Sequence, residues 1–269
     1  MKKYLYIFTF VFIFTCCLPL RVSATDYSKY SNTKVEFGLN LRTDHKRPDC
    51  DKPKGVTLSK YHTFFYGIKP YKKKDKVIYL TFDCGYENGN TKKILDTLKK
   101  NTIKAIFFVT EPYIRGNPGL VKRMKKEGHL VGNHTTTHPR LTDISVTKIK
   151  QELNTCRKTM KKKTGYDMDP YMRPPEGVYS VRVIKVAEDM GYNTMLWSWA
   201  IRDYEEDDQP SVQYVLDKMK KHYFPGMMPL LHVISSADRK ALPKIISTMK
   251  KKGYRFGKVT EFTKKRKLK

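Results

Sequence analysis

The chain has 269 residues, enough for one large domain or two small ones, and its 39% hydrophobic content is adequate for a core. It carries 54 lysines and arginines against 26 acidic residues, a formal net charge of +28. That balance points to a polyanionic partner (nucleic acid, anionic membrane or acidic wall polymer) or to a solvated basic surface with no specific partner. The five cysteines, two of them inside the first 24 residues, do not make a disulfide framework.

Lys2 and Lys3 precede an apolar run from Tyr4 to Leu20, and Val22-Ser23-Ala24 then offers small residues. This three-part pattern reads as a secretory signal, residues 1–24, cleaved after Ala24. The alternative is an uncleaved anchor, because the run is near the lower limit of about 17 residues for a spanning helix. Export leaves no role for nucleic acid and makes an anionic wall glycan the expected partner, with membrane contact only through the signal or anchor segment. Cys50, Cys84 and Cys156 would remain, an odd number that leaves at least one free, ligating or intermolecular.

Residues 25–75 lack periodicity. They hold turn formers such as Pro48, Pro53 and Gly55, and the aromatic cluster Tyr61, Phe64, Phe65 and Tyr66. They read as an N-terminal extension packed on a main domain of residues 76–269. Lys76 to Phe82 has a buried-strand pattern, and Thr91 to Lys100 spaces Ile94, Leu95 and Leu98 as a helix does. Strands follow at Ala105–Val109, His129–Gly132, Pro170–Arg173, Tyr192–Ala200 and Met227–Val233, and a weaker seventh at Tyr254–Phe262. Helices lie between them at Leu120–Lys126, Ser145–Thr164, Val181–Met190, Val212–His222 and Ala241–Lys251, several stopped by Gly128, Gly165, Gly191 and Gly253. Seven strands alternating with six helices imply parallel βαβ units in a barrel or a doubly wound sheet. No glycine-rich nucleotide fingerprint follows the first strand, which counts against the nucleotide-binding doubly wound class.

Polar residues cluster just after strands: Asp83, His134 and His138, Arg173, Asp203 and His232. In a parallel barrel those ends share one face, where active sites are built. Any one of them alone reads as a cap or loop residue. His134 and His138 have i, i+4 spacing, which on a helical turn puts both imidazoles on one side, able to share a metal ion. Trp197 and Trp199 alternate on a strand and read as core packing; Asp207 and Asp208 read as a solvated loop.

Thr81-Phe82-Asp83-Cys84-Gly85, His134 to His138, Arg173-Pro174-Pro175-Glu176-Gly177, Trp197 to Tyr204 and Leu230-Leu231-His232 resemble, in order, the five motifs of the NodB-type polysaccharide deacetylases, carbohydrate esterase family four. The resemblance covers residues 76–262. The stretch Asp83 to Gly89 and the extension before it are most similar to the muramic-lactam (delta-lactam) de-N-acetylases of spore-forming bacteria.

The resemblance implies an α/β fold, a distorted (β/α)7-type barrel with an N-terminal extension. It also implies roles. Asp83 would be the base that activates water, and His134 and His138 the metal ligands. Arg173 would orient Asp83, and Asp203 would fix Arg173 through an ion pair. His232 would be the acid that protonates the leaving amine, with Tyr86, Pro174 and Tyr204 contacting the sugar. Most members carry a second Asp where Cys84 stands, as a third metal ligand. A thiolate suits zinc, so a divalent metal is expected, zinc favoured, with Cys84 either a ligand or an inert buried thiol. The implied reaction is removal of the acetyl group from N-acetylmuramic acid in peptidoglycan, in the spore cortex. Action on N-acetylglucosamine or chitin, or a catalytically silent wall-binding protein, are the alternatives.

Overall fold

The computed structural model describes residues 25–67 and 75–269. The expected signal segment, with Cys16 and Cys17, and the Lys72-Lys73-Lys74 run lie outside the described residues. The sheet that positions the site has seven strands: β1 (Thr63–Phe64), β2 (Thr81–Cys84), β3 (Ile106–Val109), β4 (Leu130–Asn133), β5 (Tyr171–Met172), β6 (Asn193–Met195) and β7 (Leu230–His232). Their order is β7-β2-β3-β4-β5-β6-β1, every neighbouring pair parallel. Helices α1 (Asn90–Lys100), α2 (Glu111–Gly116), α3 (Pro118–Lys126), α4 (Val146–Thr164), α5 (Val181–Asp189), α6 (Val212–His222) and α7 (Ser236–Lys251) carry the crossovers and the C-terminal layer.

A parallel sheet buried on both faces needs nearly continuous apolar strands, and β3, Ile-Phe-Phe-Val, shows why. Ile106 and Phe108 point into the barrel, where they meet Phe64, Tyr171 and Met195. Phe107 and Val109 point outward to Ile94, Leu95 and Val121 of the helical layer. The two edges are joined by the chain leaving β6: Leu196 N–H donates to Phe64 O (2.7 Å), Ser198 N–H to Met228 O (2.8 Å), and Leu230 N–H to Trp199 O (2.8 Å). The sheet therefore curls into the distorted seven-stranded barrel.

Two elements differ from the sequence reading. Tyr254–Phe262 adds no strand to the sheet; only Arg255–Phe256 is extended, in a separate parallel ladder with Val77–Ile78. Val259 and Phe262 then plug the barrel beside Phe64 and Tyr79. The seventh strand is β1, from the extension, held against β6. The extension also pairs Val35–Glu36 antiparallel with Val178–Tyr179. Pro229 stands immediately before β7, where its missing N–H costs no ladder bond, and its carbonyl accepts from the Thr81 hydroxyl (2.6 Å).

Candidate active site

Asp83 on β2 and His232 on β7 are directly opposed residues of neighbouring strands, at the carboxyl ends of both. The space above them is a cleft of about 590 Å³, floored by Asp83, His134, His138 and His232. Tyr86, Pro174 and Tyr204, the expected sugar contacts, line its walls. Tyr86 and Tyr204 are 60% and 52% exposed, available to a ligand.

Asp83 is nearly buried and held by one guanidinium. Arg173 Nη1 donates to Asp83 Oδ1 (2.7 Å), while its other groups donate to Thr81 Oγ1 (2.8 Å), Leu196 O (3.0 Å) and Met195 O (3.1 Å). Its plane lies 4.3 Å over the Phe108 ring. A buried cation is tolerable only with such complete pairing. Burial pushes the Asp83 carboxyl up, but the Arg173 charge, then His134 and His232, outweigh it and hold it below the usual carboxylate value.

His134 and His138 meet edge to face, ring centroids 4.8 Å apart. They do so without the helical turn that the i, i+4 spacing led us to expect. The segment after β4 is a loop in which Thr135 (φ 70°) and His138 (φ 57°) adopt left-handed backbone. Residues in that region cost energy and persist when their surroundings fix them. Here the buried Glu152 carboxylate of α4 accepts the Thr136 and Thr137 N–H groups (2.9 and 2.8 Å), and Asn133 Oδ1 accepts from Thr135 N–H (2.9 Å). Burial pushes His134 down to about 4, and lowers His138 too, so both are neutral imidazoles at ordinary pH. His134 Nδ1 lies 2.9 Å from the Arg173 carbonyl, which only accepts, so the proton sits on Nδ1. The Nε2 lone pair then faces Asp83 Oδ2 at 3.4 Å, two acceptors with an electropositive group wanted between them.

His232 is pinned on the other side. Asp203 Oδ1 takes its Nδ1–H at 2.7 Å, and Asp203 Oδ2 takes its backbone N–H at 3.0 Å. Burial lowers His232, but the Asp203 hydrogen bond and charge outweigh it and raise the imidazole above its ordinary value. This corrects the expectation that Asp203 fixes Arg173. Arg173 spends its donors on Asp83, Thr81 and two carbonyls, and Asp203 is bound to His232 instead.

Cys84 is also placed differently from a ligand. Successive strand residues face opposite sides, so with Asp83 in the cleft the Cys84 side chain enters the outer apolar layer beside Ile94, Leu95 and Tyr113. It is fully buried, and burial, followed by the Asp83 and Glu87 charges, raises its thiol well above its ordinary value. Cys50 and Cys156 are likewise free thiols. Trp197, read from sequence as core, lines the cleft, whereas Trp199 is fully buried; the alternation fails because regular strand stops at Met195. Asp207 and Asp208 are exposed, as expected. Thr81, the hydroxyl that positions Arg173, gave no sequence signal beyond its motif.

A family model described as polysaccharide deacetylase matches residues 71–195. The peptidoglycan-N-acetylmuramic acid deacetylase PdaA of Bacillus subtilis is 38% identical over 248 residues, 91% of this chain and 93% of the relative. The chain belongs to the polysaccharide deacetylase family. A peptidoglycan-N-acetylglucosamine deacetylase of Bacillus cereus is 35% identical, over 70% of this chain and 88% of the relative. The solved structure of B. subtilis PdaA, a family 4 carbohydrate esterase, superposes with a TM-score of 0.80 at 39% identity, covering 86% of this chain and 97% of that one.

Polysaccharide deacetylases of this family depend on a metal ion. Two neutral imidazoles with Nε2 of His134 turned toward a carboxylate fit a divalent cation. Among the described residues, no three His, Cys, Asp or Glu side chains gather as a ligand set.

Proposed function

We propose that this deacetylase hydrolyses the N-acetyl amide of N-acetylmuramic acid in peptidoglycan, outside the cytoplasm, in the route to muramic lactam of the spore cortex. The observation that carries the reading is the nearly end-to-end similarity to a peptidoglycan-N-acetylmuramic acid deacetylase. The excess of positive charge fits a wall glycan whose muramic residues bear an anionic lactyl group.

His134 and His138 would hold the metal, zinc being suited to imidazole, and the bound ion would polarise water and acetyl oxygen. Asp83, ionised and fixed by Arg173, takes a proton from the attacking water as its oxygen bonds to the acetyl carbon. The Tyr86 backbone N–H would donate to the developing oxyanion. His232, kept cationic by Asp203, gives its Nε2 proton to the sugar nitrogen as the C–N bond breaks. Acetate and a free amine leave. Tyr86, Pro174, Trp197 and Tyr204 bracket the sugar. Base and acid stand on adjacent strands, so one amide spans both.

The similarity to an N-acetylglucosamine deacetylase favours that sugar as the second reading. Mass analysis of wall glycan treated with residues 25–269, with and without prior removal of the stem peptides, separates them. Acetyl loss from peptide-free muramic residues is expected. Loss confined to glucosamine, or to peptide-bearing glycan, contradicts the muramic-lactam assignment.

A further inference from the structure

Asp238 has no part in the chemistry above, yet among the described residues it is a buried carboxyl with both oxygens unsatisfied. It stands in the first turn of α7, 2% exposed, and both carboxyl oxygens are buried without a hydrogen-bond partner among the described residues. A buried carboxylate in that condition is strongly unfavourable unless it is neutral or paired, and an orphaned buried polar group calls for an explanation.

Its surroundings supply one. A chain of hydrogen bonds ties the first turn of α7 to the loop that carries Asp203. Gln209 Nε2 donates to Asp203 O (2.8 Å), the Ser235 hydroxyl donates to Gln209 Oε1 (2.7 Å), and Asp238 N–H donates to Ser235 Oγ (3.1 Å). This chain brings the Asp238 carboxyl against the Asp203 carboxyl and the His232 backbone. Asp203 already accepts two donors from His232. Two facing carboxyl groups in a dry site keep one proton between them. Asp203, with an imidazolium against it, is the one that ionises. Asp238 keeps the proton, and its oxygens are orphaned only when it is drawn as an acceptor.

We infer that Asp238 is a positioning residue, a neutral carboxylic acid whose O–H donates to Asp203 and locks that carboxylate beneath His232. Burial first, and then the Asp203 contact and charge, raise Asp238 well above the ordinary carboxylate value, in the same direction. The groups facing Asp238 are Asp203, from the 200–209 loop, and His232, from β7. Held neutral, Asp238 adds no second negative charge behind the acid, so His232 remains able to release its proton. The inference rests on His232 serving as the acid, but the state of Asp238 is readable without catalysis.

The test uses the folded protein labelled with carboxyl-13C aspartate. The carbon spectrum should hold one aspartate resonance in the protonated range at neutral pH, and Asp238→Asn should remove it. Absence of that resonance, with Asp238 ionised, overturns the inference whatever the activity. Kinetics then test the positioning. Asp238→Asn, neutral and still a donor, should leave the basic limb of the kcat/KM profile within about 0.3 pH unit of the parent. Asp238→Ala should lower kcat about tenfold and move the limb up, because Asp203 loses a donor and gains basicity. A limb moved down by about one unit in Asp238→Asn would mean that a true negative charge was removed and would refute the neutral acid. Unchanged profiles in both variants would refute the positioning role.

Discussion

The two halves of the cleft floor solve the same problem with opposite charges. In the proposed mechanism a carboxylate is the base and a guanidinium holds it on one side; on the other an imidazole is the acid and a carboxylate holds it. Arg173 outweighs the burial of Asp83 and favours its ionised form, and Asp203 outweighs the burial of His232 and favours its protonated form. The lesson is that a base and an acid on adjacent strands coexist at one pH only if each has its own counter-charge. Arg173 is wholly buried with four donors engaged, whereas His232 keeps one ring edge on the cleft. The base half is therefore also structural, and the acid half is adjustable.

That contrast can be broken most severely on the base side. Arg173→Met leaves Asp83 buried without its partner and should destabilise the fold by about 3–5 kcal/mol in denaturant unfolding, besides abolishing acetate release. Asp83→Asn should keep the fold but lower kcat about 10²–10⁴-fold, the usual worth of a positioned base, measured by acetate release from muropeptides. On the acid side the effect is smaller and shows in pH. As the proposed acid, His232 would work while protonated, so activity should be present below its raised value and be lost as pH climbs through it. Asp203→Asn removes the charge that raises it, and the basic limb of kcat/KM should move to lower pH by about one unit. Smallest of all, Cys84→Ser should leave zinc affinity, read by competition with a chromophoric chelator, within about twofold. A large loss there would return the thiol to the metal site.

Much of this arrangement is written in local pattern. Apolar runs separated by helical spacing give six of the seven sheet strands, because strands buried on both faces must be apolar throughout. The missing strand, Thr63–Phe64, is two residues long in a segment without periodicity and is extended only because β6 offers it an open edge. The residues of the floor were legible as polar groups at strand ends. Their partners were not. Whether Asp203 serves Arg173 or His232 depends on how the loop after β6 crosses to β7, a matter of tertiary geometry. Cys84 follows Asp83 by one residue, and only the strand's alternation sends its side chain to the other face. Asp238 looks in sequence like an ordinary acidic residue of a helix's first turn, and only its burial against a second carboxyl marks it out.

The most direct single measurement is acetate release from peptide-free glycan containing N-acetylmuramic acid, followed as a function of pH for the parent protein and Asp83→Asn. The proposed roles predict release by the parent between two limbs. The acid limb is set by Asp83 and the basic limb by His232. Release by the variant should be about 10²–10⁴-fold lower throughout. Acetate released equally by both proteins, or by neither, would contradict the assignment of Asp83 and His232 as the base and acid of a muramic acid deacetylase.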